Sequence, residues 1–108
     1  MEINISYKNI KPDEPLRVFA EDKIGGLEKF IGTGPVEARV EIGLPSKHHR
    51  SGPIYYAEVN LKIGGKLLRA TCQREDLRNA IVDAKNELQG QIKKFKDKRK
   101  DLFRQSIK

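Results

Sequence analysis

The sequence YYAEVNLKIGGKLLRATC, residues 55–72, decides the fold, because apolar and polar residues alternate through it on both sides of a Gly-Gly pair. Alternation with a period of two is typical of a β-strand that buries one face. Glycines tolerate the positive φ angles of a tight turn between two such strands. The stretch therefore predicts a β-hairpin, with Val59 and Ala70 in a core and Cys72 as a small buried residue rather than a reactive thiol.

Two more strands and a helix are predicted before the hairpin. Residues 3–7 and 36–42 show the same alternation, and residues 11–31 place their apolar side chains on one side of a helix. Asp13 suits the N-cap of this helix. Gly25 and Gly26 lie inside it, and each costs about 1 kcal/mol relative to Ala. We therefore expect the second half of this helix to be soft or kinked.

A long last helix completes the pattern. From residue 76 onward the only helix-breaking residue is Gly90, and apolar positions recur at steps of three and four. The order β-α-β-β-β-α predicts an α+β fold, a four-stranded sheet with two helices on one face, like a double-stranded-RNA-binding domain. The other face is expected to be exposed and mostly charged, with Tyr56 as its main aromatic residue. An RNA-recognition motif stacks bases on aromatic residues of that face, and this sequence lacks them there, so the pattern argues against such a motif.

Size and composition predict one domain over residues 1–108 with a thin core, since 37% of the 108 residues are hydrophobic and 34% are charged. The N-terminus lacks the basic start and apolar run of a signal peptide. No apolar stretch approaches the roughly 20 residues of a membrane helix. We expect a soluble cytoplasmic protein, monomeric when it is away from its partner, with no membrane contact.

Patterns of catalysis or metal binding are not found in the sequence. It has no nucleophile near a plausible His and acid pair, and no glycine motif that would hold a phosphate. His48 and His49 are adjacent, but no Cys or carboxylate cluster accompanies them at ligand spacing. We expect no enzyme activity, no cofactor, no metal and no small-molecule substrate.

The charge of the chain is concentrated at its end. Residues 91–108 contain eight Lys and Arg against two Asp, an excess of +6 in a chain of net charge +7. A local excess of this kind favours a polyanionic partner, either nucleic acid or an anionic surface. Whether residues 99–108 are helical before a partner binds is left open by the sequence, because this basic end can also order on binding.

On a helical wheel the charges of the last helix separate by sign. One flank carries most of the bases, and the other carries Asp83, Glu87 and further acids together with Lys94. Segregated charge suggests a basic stripe that binds something, since mixed signs would favour pairs along the helix. Charge runs are nevertheless most often solvated surface, and cations near the end of a helix also favour its dipole. Both interpretations stay open at this point.

Four stretches resemble one known family. They are INISYKNI (residues 3–10), LEKFI (27–31), YYAEVNLKIGGKLLRA (55–70) and EDLRNAIVDAKNELQGQIKKFKDK (75–98), and they resemble the ribosome hibernation-promoting factor and ribosome-associated inhibitor family. The resemblance spans nearly the whole chain. No single motif is diagnostic, and the specificity lies in the order of the stretches.

The resemblance implies binding to the small ribosomal subunit at the decoding region, the A- and P-site region of its rRNA, in space otherwise used by mRNA and tRNA. It implies silencing of translation under stress, and it makes the chain similar to a short form without a C-terminal dimerisation domain. The expected phosphate or sugar contacts are Arg78, Lys85, Lys93, Lys94, Lys96 and Lys100, with Arg74, Lys47 and Arg50 as second-rank candidates.

The chain departs from the family pattern at three positions of the last helix. Glu87 and Gly90 stand where the family usually has basic residues, and Arg78 stands where it often has an aromatic. Two other functions remain open. A general double-stranded-RNA-binding module would bind isolated duplex RNA as well as a ribosome. A protein-interaction adaptor would instead use the basic helix against an acidic partner surface.

Overall fold

The structure, a computed structural model, describes residues 1–32, 36–45 and 54–107. The strands are β1 (Glu2–Lys8), β2 (Val36–Gly43), β3 (Tyr55–Ile63) and β4 (Lys66–Arg74), and the helices are α1 (Glu14–Gly25), α2 (Glu28–Ile31) and α3 (Leu77–Ile107). The predicted α+β order is confirmed, with the first predicted helix divided into α1 and α2. Helix α3 continues through most of the basic C-terminal end.

The four strands form one sheet in the order β1-β2-β3-β4. β1 is parallel to β2, and the other neighbours are antiparallel. A parallel pair needs a crossover connection, which α1 and α2 supply. The register aligns Ile5, Val40, Val59 and Ala70 in one row across the sheet. This row lies on the face that the helices cover.

The hydrophobic core lies between the sheet and the helices. Ile24, Leu27, Ile81 and Leu88 are completely buried, and they meet the apolar side chains of the inner sheet face. Cys72 joins this cluster, which confirms its predicted role as a small core residue. Among the residues that the structure describes, no polar side chain is buried. The helices therefore cover one face of the sheet, as the alternation predicted.

A glycine begins the hairpin turn, and a glycine pair lies at the helix break. Gly64, with φ 58°, begins the turn between β3 and β4. At the break, the Gly26 N–H donates to the Asp22 carbonyl at 3.1 Å, and the Leu27 N–H donates to the Ile24 carbonyl at 3.0 Å. The second bond joins residues three apart, as in a 3₁₀ turn, and Ile24 and Leu27 both stay buried in the core across it. The helix expected to be soft or kinked is therefore broken here, and α2 begins at Glu28.

Two local predictions need correction. Asp13 is the N-cap residue of α1 in an extended conformation, but its side chain makes no capping hydrogen bond. Tyr56 lies on the outer face of the sheet as predicted, yet it is only 6% exposed. The ring pairs with Gly43, which has no side chain to occupy the space, and the hydroxyl donates to a Glu41 carboxylate oxygen. Tyr56 is therefore a packed residue of that face and not an exposed platform.

Helix α3 is long but highly charged. None of the helices in the described ranges is both long and apolar enough to cross a bilayer.

Candidate nucleic-acid interface

The acidic flank of α3 faces the edge strand β4. The Arg74 Nε donates to Asp83 Oδ2 at 2.8 Å, and the Gln91 amide donates to the Arg69 carbonyl at 2.8 Å. Between these contacts, the Cys72 Sγ lies 3.6 Å from Glu87 Oε2. Positions 83, 87 and 91 are spaced by four, so they share one side of the helix. These contacts hold α3 to the sheet and turn Asp83 and Glu87 away from the opposite flank.

The basic flank of α3 faces α1 and α2. The Arg78 guanidinium lies 5.4 Å from the centre of the Phe19 ring of α1. The Lys96 ammonium donates to the Phe30 carbonyl at the end of α2, at 2.8 Å. Lys85 donates to the side chain of Gln89 at 3.1 Å. The flank therefore combines cations with contacts that position the helices.

Two further cations join this flank from the other helices. The Lys23 ammonium lies 5.5 Å from the centre of the Phe19 ring, and the Lys29 ammonium lies 5.1 Å from that of Phe30. We call the resulting cluster the basic surface, formed by Lys23, Lys29, Arg78, Lys85, Lys93 and Lys96. Sequence reasoning missed Lys23 and Lys29. The sequence held one indication of them. Lys23 follows Phe19 by four residues and Lys29 directly precedes Phe30, so each lysine can lie over a phenylalanine ring.

The predicted contacts do not all lie together. Arg78, Lys85, Lys93 and Lys96 belong to the basic surface. By helical spacing, Lys94 shares the flank of Asp83 and Glu87. Arg74 lies at the end of β4 and is paired with Asp83. Lys100 belongs to α3, but its side chain is outside the described part of the chain, as are Lys47 and Arg50 entirely.

Within the described residues, no cation of the basic surface has a carboxylate within ion-pair distance. The neighbours of these cations are aromatic rings, a carbonyl and an amide. These cations are therefore not held in ion pairs within the described part of the protein, and they can bind an anion.

A groove of about 710 Å³ opens between α2 and α3 within the basic surface. Its walls combine three ammonium groups, an aromatic ring, an isoleucine, two side-chain amides, one carboxylate and a glycine. They are Lys29, Phe30, Asn86, Gln89, Gly90, Ile92, Lys93, Lys96 and Asp97.

The outer face of the sheet, which we call the sheet face, is different. Arg69 donates to Glu58 at 2.9 Å and to Asn60 at 3.0 Å, and Arg39 donates to Glu37 at 3.0 Å. The bases of this face are matched in number by its acids, which are Glu2, Glu37, Glu41 and Glu58 against Lys8, Arg39, Lys62 and Arg69. The sheet face therefore offers little net charge to a polyanion.

The Cys72 thiol is a packed side chain of the core. Burial and the nearby Glu87 carboxylate raise the pKa of the Cys72 thiol, so it stays protonated near neutral pH. No group of three His, Cys, Asp or Glu in the described ranges is arranged to hold a metal ion. The site can attract phosphate groups through its cations, and it can contact nucleobases through its rings and amides.

Comparison with known proteins defines the class. Residues 3–100 match the family described as Sigma 54 modulation protein / S30EA ribosomal protein. Because this match covers most of the chain, the chain belongs to that family. The resemblance to ribosome hibernation-promoting factors is thereby confirmed.

Individual relatives agree with this assignment. The chain is 33% identical over 105 residues to the ribosome hibernation promotion factor of Bacillus subtilis (strain 168), covering 97% of this chain and 53% of the relative. It is 29% identical over 97 residues to the ribosome hibernation promotion factor of Lactococcus lactis subsp. cremoris, covering 89% of this chain and 50% of the relative. The chain thus spans about half the length of the curated relatives it matches.

Solved structures share the fold. The Thermus thermophilus Protein Y N-terminal domain superposes with a TM-score of 0.75 at 27% identity, over 88% of this chain and 99% of that one. A ribosomal subunit interface protein from Coxiella burnetii superposes with a TM-score of 0.71 at 17% identity, over 90% of this chain and 99% of that one. The second likeness concerns the fold alone.

Proposed function

We propose that this chain is a ribosome hibernation factor that binds the small ribosomal subunit at the decoding region and blocks mRNA and tRNA binding. Family membership supports the hibernation role, and relatives of this chain carry the name ribosome hibernation promotion factor. The single observation that carries the mode of binding is the basic surface, whose cations have no carboxylate partner in the described structure. The factor acts in the cytoplasm, and it is a monomer away from the ribosome.

Phosphate contacts explain how a rigid helix surface can hold rRNA. Lys and Arg position a protein on a nucleic acid through the backbone and read no sequence in doing so. Lys93 and Lys96 are both exposed on α3 and lie on the groove, so rRNA phosphates can approach them from outside. Arg78 of α3 and Lys23 of α1 extend the same surface to the Phe19 ring of α1. Lys94 and Arg74 remain proposed contacts outside this surface. Lys100, Lys47 and Arg50 remain proposed contacts whose side chains are not among those that the structure describes.

Salt dependence and specificity test this function together. Purified small subunits, intact ribosomes and a structured duplex RNA are sedimented with the protein across a salt series. We expect binding to small subunits and ribosomes, with log affinity falling by about 0.7 to 0.9 per phosphate neutralised as log salt rises. Duplex RNA should bind much more weakly near physiological salt. Equal binding to duplex RNA would show a general RNA-binding module, and binding to none of them would indicate an acidic protein partner.

Blocking of the decoding region has its own measurement. Saturating amounts of the protein should release mRNA and tRNA from programmed small subunits and should stop translation in a purified system. Full translation at concentrations that saturate the subunit would contradict the proposed site.

A further inference from the structure

Gly90 has no structural explanation inside the free protein. It lies in the interior of α3, where glycine costs about 1 kcal/mol relative to alanine. A Cβ atom built at this position meets nothing within 4 Å, so neither a close helix nor a crowded side chain requires the glycine. Gly90 does line the groove between α2 and α3. A glycine in this position keeps the groove wide and lets a ligand approach the helix backbone.

The walls of the groove match the parts of a nucleotide. The half-buried Phe30 ring offers an aromatic surface, on which any base can stack. Asn86 and Gln89 carry side-chain amides that both donate and accept, the pattern that pairs with an adenine edge. Lys29 and Lys93 supply ammonium groups for a phosphate. Asp97 can accept a hydrogen bond from an exocyclic amino group.

We propose that the groove between α2 and α3 binds one unpaired nucleotide of the RNA, with adenine favoured. The base lies against Phe30 and the two amides, and the phosphate lies between Lys29 and Lys93. Lys29 is exposed and now lies over the Phe30 ring, so its ammonium can leave the ring for the phosphate when the base arrives. This inference rests on the proposed ribosome binding, to which it adds a pocket for one unpaired base.

The lysine Lys96 holds the groove in shape. Its ammonium bonds the Phe30 carbonyl from α3 and so fixes α2, with Phe30 at its end, relative to the opposite wall. An exposed bond of this kind stabilises only modestly. It nevertheless orients the ring before the base binds.

The direct test is a titration of the ¹⁵N-labelled protein with adenosine 5′-monophosphate, followed by NMR. Inorganic phosphate is the comparison ligand. We expect the nucleotide to shift the amide signals of residues 29–30 and 86–97, and we expect phosphate to shift mainly Lys29 and Lys93. Identical shifts from phosphate and nucleotide would overturn the proposal, because the lysines alone would then explain the binding. Shifts elsewhere, or none, would overturn it as well.

Two variants alter the groove, and a third serves as their control. Gly90→Leu adds a side chain at the groove, where its Cβ meets nothing within 4 Å, and should weaken nucleotide binding about tenfold or more. Phe30→Leu removes the stacking surface and should weaken it about fivefold or more. Asn79→Leu adds the same side chain to the same side of α3, outside the groove, and should bind as the natural protein does. Unchanged binding by Gly90→Leu would overturn the proposal.

Ribosome sedimentation distinguishes a failure of the proposed nucleotide pocket from a failure of the proposed ribosome binding. If Gly90→Leu binds small subunits as tightly as Asn79→Leu, the groove holds no rRNA base, whereas the proposed function stands. If the natural protein fails to bind subunits, the proposed function fails, and the inference that the base belongs to rRNA fails with it.

Discussion

The basic surface and the sheet face both carry several cations, but only the sheet face balances its cations with an equal number of acids. On the sheet face, Arg69 and Arg39 bond carboxylates of the same sheet. On α3, Asp83 and Glu87 turn toward β4, so Arg78, Lys93 and Lys96 keep their charge. The location of the acids, rather than the number of bases, therefore identifies a surface for a polyanion.

Core damage should affect both faces equally, and it has the largest expected effect on stability. Leu88 of α3 is completely buried in the core. Leu88→Ala should reduce the free energy of unfolding by about 2–5 kcal/mol, because it removes buried methyl groups and leaves a cavity. Urea unfolding measures this change. At low temperature, where the variant stays folded, subunit binding should persist; its complete loss there would mean that the surface depends on more than local charge.

The hydrogen bond from Tyr56 to Glu41 should stabilise the sheet face without any role in binding. Tyr56→Phe should cost about 1–2 kcal/mol of folding stability, because the acceptor is a carboxylate. Affinity for small subunits should not change. A loss of affinity in a folded Tyr56→Phe protein would place part of the interface on the sheet face.

The same tyrosine predicts a pH dependence. Burial and the Glu41 carboxylate raise the pKa of the Tyr56 hydroxyl above its ordinary value of 10.0. The folded protein therefore keeps a proton that the unfolded chain loses, and stability should fall as pH rises above about 10. Urea midpoints across this range should fall more steeply for the natural protein than for Tyr56→Phe. Parallel curves would contradict the assigned cause.

Replacing Gly90 with alanine should stabilise the free protein. Gly90→Ala should raise the free energy of unfolding by up to about 1 kcal/mol, since alanine is the better helix former and its Cβ meets no neighbour. Thermal unfolding measures the gain. A destabilised variant would mean that the backbone at this position is not an ordinary helix.

The smallest effect is expected from the sheet face itself. Arg69→Ala removes an exposed ion pair with Glu58 and should cost about 0.2–1 kcal/mol of stability. Subunit affinity should remain within error. A tenfold loss of affinity would show that Arg69 contacts RNA despite its pairing.

Local periodicity predicted the strands, the hairpin turn and the flanks of α3, because alternation and helical spacing are properties of neighbouring residues. The burial of Tyr56 was not predictable in this way, since it depends on Gly43 in another strand. Lys23 and Lys29 were missed for the same reason. A wheel drawn for one helix cannot show which cations a second helix brings beside it, or that a groove lies between two helices.

The most direct test of the account compares two double charge reversals, Lys93→Glu/Lys96→Glu on the basic surface and Lys8→Glu/Lys62→Glu on the sheet face. Both change the net charge equally, and circular dichroism checks that both are folded. Sedimentation with purified small ribosomal subunits then gives each affinity. We expect a loss of about a hundredfold or more for the first pair and less than about threefold for the second. Equal losses would contradict it, because net charge alone would then govern binding.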